Sequence, residues 1–223
     1  MYFLLFLSFL CFLAFLFSLY VMSHDDYVFL RKSISTEQVF NGAILNILIA
    51  LFFARLFFVF LNPSFNFLNP LVFLLFPYFP GLSIVGGLIG GVVFLFLYFP
   101  KHKMPANRLF DFFLFSFLSV LPIGFLALKL WGLFLIYSII FLFFAKVFLP
   151  MQKRGEIKEG SLGFLVLISY SIVSLFFDIF SKIDKVLLFL SKEDFLLILI
   201  ILVSLFYLNK QEKLIQKIKN SKK

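Results

Sequence analysis

Long runs of apolar residues dominate the chain, and short polar segments separate one run from the next. Continuous runs of about 20 apolar residues are typical of helices that cross a membrane, whereas strands of a membrane barrel alternate apolar and polar positions. The runs predict seven spans: Tyr2–Met22, Glu37–Leu61, Leu82–Phe99, Leu109–Leu128, Leu130–Leu149, Ser161–Phe180 and Phe195–Leu208. The last span is only just long enough for a hydrocarbon core of about 30 Å.

The composition supports a membrane protein. The chain is 63% hydrophobic and only 14% charged, so a soluble domain could not cover its apolar surface. We predict an all-α, polytopic transmembrane helical bundle that occupies residues 1–208, followed by a basic cytoplasmic tail at residues 209–223. The apolar segment Leu71–Pro80 is too short and too rich in proline for a span, so we predict that it is interfacial or re-entrant.

The distribution of Lys and Arg predicts the orientation. With the N-terminus outside, 14 of these residues lie in inner segments and four lie in outer ones. The positive-inside rule therefore favours an outer N-terminus and an inner C-terminus. The net charge of +9 is explained by this topology, so we predict no nucleic-acid partner. The basic tail is expected to lie on the anionic inner leaflet.

Several charged residues fall in one layer of the predicted bundle. Arg55, Lys129 and Asp178 each lie toward the outer end of a span, where a charge is costly and by default suggests function. The turn that opens the third span carries two glycine pairs, Gly86–Gly87 and Gly90–Gly91. Glycine there favours either close helix packing or close approach of a lipid head group. The pair Arg108 and Asp111, three residues apart at an inner end, is predicted to be structural.

Several segments resemble one family in order and spacing. They are ARLFFVF at Ala54–Phe60, GLSIVGGLIGG at Gly81–Gly91, RLFDFF at Arg108–Phe113, PIG at Pro122–Gly124, GSLGFLVLISYSIVSLFFD at Gly160–Asp178, and LSKEDFLLILI from Leu190. With these segments the chain resembles the prolipoprotein diacylglyceryl transferases. The family also has seven spans and an outer N-terminus.

The resemblance implies a membrane enzyme of lipoprotein biosynthesis. The family moves a diacylglyceryl group from phosphatidylglycerol to the lipobox cysteine of a secreted precursor in the bacterial cytoplasmic membrane. The implied partners are phosphatidylglycerol or another anionic phospholipid and a prolipoprotein signal peptide. No cofactor and no metal is implied. A base must take the thiol proton, and cations must hold the leaving phosphate.

The chain departs from the family at these chemical positions. Val85 stands where the family has a histidine, and Lys129 stands where it has an arginine. Asp178 matches an acidic position, so we predict Asp178 and Lys129 as catalytic residues. The predicted substrate-binding residues are Arg55, Ser83, Gly86 and Gly87.

Three hypotheses follow. The first is an active diacylglyceryl transferase in which Asp178 is the base and Lys129 and Arg55 hold the phosphate. The second is a catalytically inactive family scaffold, a pseudoenzyme, that binds lipid or a membrane partner. The third is an unrelated small transporter or channel, although the chain lacks the paired inverted halves that such proteins usually show.

Overall fold

The apolar runs form helices. The computed structural model describes residues 2–24, 26–63, 81–181 and 191–212. The helices are α1 (Tyr2–Ser23), α2 (Tyr27–Arg31), α3 (Thr36–Leu61), α4 (Ile84–Tyr98), α5 (Ala106–Ala127), α6 (Trp131–Phe143), α7 (Leu149–Lys153), α8 (Ser161–Ser181) and α9 (Lys192–Glu212). A 3₁₀ turn at Pro100–His102 follows α4, and a π-helical segment at Phe144–Phe148 joins α6 to α7. Within those ranges no residue forms a strand, and the all-α prediction is confirmed.

Six helical segments of the described chain are long and apolar enough to cross a membrane. They are Phe6–Ser23, Thr36–Leu61, Ile84–His102, Ala106–Ala127, Trp131–Lys153 and Ser161–Phe180. They match the first six predicted spans, so the protein is a multi-pass membrane protein. The seventh predicted span, Phe195–Leu208, lies within α9, which is not among the six. Leu71–Pro80 and the tail beyond Glu212 lie outside the described residues.

Local side-chain hydrogen bonds explain where two of the long helices begin. Before α3, the N–H of Gln38 donates to Ser35 Oγ (3.2 Å) and the N–H of Ser35 donates to Gln38 Oε1 (3.2 Å). At α9, Asp194 and Ser191 exchange the same two bonds, at 3.3 Å and 2.5 Å. Each reciprocal pair satisfies amide groups that a helix start leaves without a partner within the helix.

Contacts divide the chain into two compact units. The first consists of Met1–Val39, Asn107–Ile172 and Ile200–Lys223, and the second of Phe40–Ala106 and Val173–Leu199. Helix α5 is the central helix of the first unit: 61% of its apolar stretch is buried, against 17% for α1. Ring contacts join α5 to α1, α2 and α8 in the pairs Phe15–Phe113, Phe29–Phe112, Phe110–Phe164 and Phe117–Tyr170.

Candidate functional site

Four of the predicted site residues lie close together in the second unit, where the chain enters α4. Arg55 is buried on α3, and its Nη1 donates to the carbonyl oxygen of Gly81 at 2.8 Å. The N–H of Ser83 donates to the carbonyl oxygen of Ala54 at 3.0 Å. These two bonds hold residues 81–83 against α3, so Arg55 positions the segment that carries the glycine motif.

Ser83 has a structural role at the start of α4. It is the N-cap residue, and its Oγ accepts a hydrogen bond from the N–H of Gly86 at 3.1 Å. Ser83 is 1% exposed, and Val85 beside it is also buried. The hydroxyl therefore satisfies an amide group of the first helical turn, as serine commonly does at this position.

The glycines of α4 allow close packing against α3. A Cβ atom at Gly86 would lie 2.3 Å from Phe57 Cβ, and one at Gly90 would lie 2.3 Å from Phe53 Cβ. A Cβ atom at Gly87 would lie 3.2 Å from the carbonyl oxygen of Ala50. Of the two sequence-based interpretations, the structure therefore supports helix packing at these glycines.

Asp178 belongs to a different group of residues in the second unit. It is half-buried on α8, and its carboxyl group interacts with two acidic residues at the start of α9. Asp194 and Glu193 both act on the Asp178 carboxyl group through charge. Asp194 is 1% exposed, whereas Asp178 is only half-buried.

Lys129 lies in the first unit, in the turn between α5 and α6. It is exposed and has a left-handed backbone with φ of 59°. The N–H of Lys129 donates to the carbonyl oxygen of Leu126 (3.0 Å), and the N–H of Leu130 donates to that of Phe125 (2.9 Å). These two bonds form a Schellman motif, which ends a helix at a residue that is usually glycine. The motif explains how two spans are joined with almost no loop.

The sequence predicted Asp111 only as a structural partner of Arg108 and did not identify its role as a helix cap. Asp111 is fully buried on α5 and accepts hydrogen bonds from the N–H groups of Gly160 (2.6 Å) and Gly163 (2.7 Å). The amide of Gln152 also donates to it. Gly160 precedes α8 and has no side chain to cap it, so Asp111 caps α8 from another helix. The sequence gives one indication of this role: the residue before Ser161 is a glycine, which has no side chain to cap α8.

Arg108 pairs with a residue that lies far away in the sequence. Its Nε and Nη2 donate to Asp26 Oδ2 at 3.0 Å and 2.7 Å, and both side chains are largely buried. Arg108 and Asp111 are both structural, as predicted, but they have different partners. Arg108 pairs with Asp26, and Asp111 caps α8. Asp26 also caps α2, because its Oδ1 accepts from the N–H groups of Val28 and Phe29.

Over the described ranges, no group of three or more His, Cys, Asp or Glu side chains is placed to hold a metal ion. No protein-family model, no curated protein and no solved structure matches this chain.

Proposed function

We propose that this chain is an integral protein of the bacterial cytoplasmic membrane that has the diacylglyceryl transferase scaffold and binds anionic phospholipid without transferring its diacylglyceryl group. The observation that carries the proposal is the structure around Ser83. The Ser83 hydroxyl caps α4, the neighbouring glycines pack against α3, and Val85 occupies the position of the family's histidine. None of these groups can take the proton from a cysteine thiol.

Arg55 supports binding of an anionic lipid. A buried cation on a membrane-spanning helix is costly unless partners compensate it. One nitrogen of the guanidinium holds the Gly81 carbonyl, and the planar fork of N–H donors is a geometry that suits a phosphate. Phosphatidylglycerol presents such a phosphate at the outer leaflet, and the Lys and Arg distribution predicts that Arg55 lies on that side.

An in-vitro transfer assay tests the absence of catalysis. Purified protein receives phosphatidylglycerol labelled in its diacylglycerol part together with a lipobox peptide, and the peptide mass is measured. We expect no modified peptide, while an authentic family enzyme in the same detergent gives product. A diacylglyceryl-modified cysteine would overturn the proposal.

Lipid retention tests the binding. We expect co-purifying phosphatidylglycerol to fall several-fold in Arg55→Gln and to fall less in Arg55→Lys, which keeps the charge but loses the fork. Lys129→Gly removes a cation at a left-handed position without adding strain, and it tests whether Lys129 contributes. Unchanged retention in all three variants would contradict lipid binding at these residues.

One observation favours an active enzyme as the second candidate. Asp178 lies near the acidic side chains of Glu193 and Asp194, and a carboxyl group beside like charges can hold and release a proton as a general base requires. If the transfer assay gives product, Asp178→Asn should abolish it while the protein remains folded in membranes. Product formation that is unaffected by this substitution would exclude Asp178 as the base.

A further inference from the structure

The short helix α2 presents an apolar and basic face. Tyr27, Leu30 and Arg31 are spaced i, i+3 and i+4, so they share one side of the helix. Tyr27 is 75% exposed and Leu30 is 66% exposed. Arg31 is also exposed. We refer to these three residues as the α2 face.

The opposite side of α2 is fixed to the first unit. Phe29 is 2% exposed and its ring contacts the ring of Phe112 on α5 edge to face, with centroids 5.4 Å apart. Asp26, which caps α2, forms the ion pair with Arg108 on the same helix. The α2 face is therefore held in one orientation by apolar packing and by an ion pair.

The end of α2 is also closed by hydrogen bonds. Ser33 has a left-handed backbone with φ of 53°. Its N–H donates to the carbonyl oxygen of Leu30 (3.2 Å), and the N–H of Ile34 donates to that of Phe29 (3.0 Å). These bonds form a Schellman motif that leads the chain from α2 toward α3.

The charges around α2 indicate which kind of partner the α2 face can bind. Asp26 is neutralised by Arg108, whereas Arg31 and Lys32 are exposed at the end of the helix. The surface at the end of α2 is therefore basic as well as apolar. It directly follows α1, a span-length helix, so it lies at the level where a membrane meets water.

We propose that the α2 face is an interfacial anchor for a leaflet containing anionic phospholipid. Tyrosine prefers the head-group layer because its ring is apolar and its hydroxyl is polar. Leu30 would insert beside the acyl chains, and the Arg31 guanidinium would bind lipid phosphate. The anchor is independent of diacylglyceryl transfer and of the groups around Arg55.

Fluorescence quenching of the full chain in vesicles tests the anchor. Trp131 is the only tryptophan, so Trp131→Phe gives a silent background. Tyr27→Trp and Leu30→Trp report the α2 face, and Glu156→Trp in an exposed loop is the control. We expect blue-shifted emission and strong quenching by brominated phosphatidylcholine at positions 27 and 30. Acrylamide should quench these two positions several-fold less than position 156.

The charge part of the proposal needs a second comparison. Arg31→Gln in the Leu30→Trp protein should reduce bromolipid quenching in vesicles that contain phosphatidylglycerol and should change it much less in phosphatidylcholine alone. Two tryptophan positions are used so that a folding defect in one variant leaves the other informative. Thermal unfolding of each variant shows whether it is folded.

Two outcomes would overturn the anchor. Strong acrylamide quenching at both positions, equal to that at position 156, would place the α2 face in water. Protection from both quenchers together with cross-linked dimers would show instead that a second copy of the chain covers the face.

Discussion

Gly86 shows at the scale of one residue how a motif that resembles a catalytic loop acts as a packing surface. The backbone of α4 approaches α3 so closely here that a Cβ atom would lie 2.3 Å from Phe57 Cβ. That atom is next to the Phe57 backbone and cannot move away by a simple rotamer change. The absence of a side chain at Gly86 is therefore required by the α3–α4 contact.

We expect Gly86→Ala to lower the free energy of unfolding by about 1–3 kcal/mol, because the added methyl group overpacks the contact. Gly124→Ala is the matched control. Apart from its chain neighbours and its own helix backbone, no heavy atom of the described residues lies within 4 Å of the place that a Cβ atom would take there, and alanine favours the helix. Thermal unfolding in detergent measures both. Equal effects of the two substitutions would contradict the packing role of Gly86.

At Lys129 we expect the opposite preference, with glycine more stable than the present residue, because the backbone there is left-handed. A left-handed φ of 59° is unfavourable for any residue with a Cβ atom. Lys129→Gly should therefore stabilise the protein by about 0.5–1 kcal/mol. Lys129→Ala removes the same charge but retains the strain, so its unfolding temperature should stay near that of the parent. A loss of stability in Lys129→Gly would show that the lysine side chain makes an important contact.

At the scale of the helices, the link between α5 and α8 depends on one carboxylate. Both oxygens of Asp111 accept amide groups at the start of α8, where the helix dipole is positive. Nearby, the Ser161 hydroxyl donates to Glu212 Oε1 (2.8 Å), and the N–H of Lys158 donates to the same oxygen (2.8 Å). The start of α8 is thus connected to both α5 and the end of α9.

We expect Asp111→Ala to cost about 3–5 kcal/mol, because two buried amide groups lose their acceptor. Hydrogen exchange should rise at residues 160–163 before it rises elsewhere in α8. Ser119→Ala is the control, since it removes only a bond to the Ser116 carbonyl within the same helix. Unchanged exchange at residues 160–163 would contradict the capping role.

The ion pair of Arg108 allows a comparison within one chain. Arg108 and Asp26 have side chains that are 12% and 4% exposed, whereas Arg154 and Glu156 are 73% and 47% exposed. Arg108→Gln leaves a buried carboxylate without its cation and should cost about 3–5 kcal/mol. Arg154→Gln should cost less than about 1 kcal/mol. Similar losses in chemical denaturation would mean that burial does not determine the strength of the first pair.

At the scale of the whole molecule, the orientation remains a prediction that cysteine labelling can test. Cys11 is the only cysteine, so Cys11→Ser gives a background without thiols. A membrane-impermeant maleimide should label Asn62→Cys in intact cells, because α3 is predicted to end outside. Lys101→Cys and Glu156→Cys should be labelled only after the membrane is opened. The reverse pattern would contradict an outer N-terminus.

The sequence predicted helix positions well but could not identify side-chain partners. The predicted span Ser161–Phe180 corresponds to α8 at Ser161–Ser181, because apolar runs and helix length follow from the chain itself. The partner of Arg108 lies 82 residues away, so spacing along one helix could not reveal it. For the same reason the sequence did not predict that Asp111 caps α8, because Gly160 lies 49 residues away. The glycine pairs allowed two interpretations, and only the position of α3 decided between them.

The cap on α8 has a consequence for synthesis of the protein. The ribosome makes α5 before α8, so Asp111 is already present in the chain when Gly160 and Gly163 are synthesised. The acceptor for the amide groups of α8 is therefore present when that helix enters the lipid. Glu212 follows α8 in the chain, so it is made later and adds its contact to a helix that is already in place. A chain with these two helices in the reverse order would have to insert α8 before its acceptor existed.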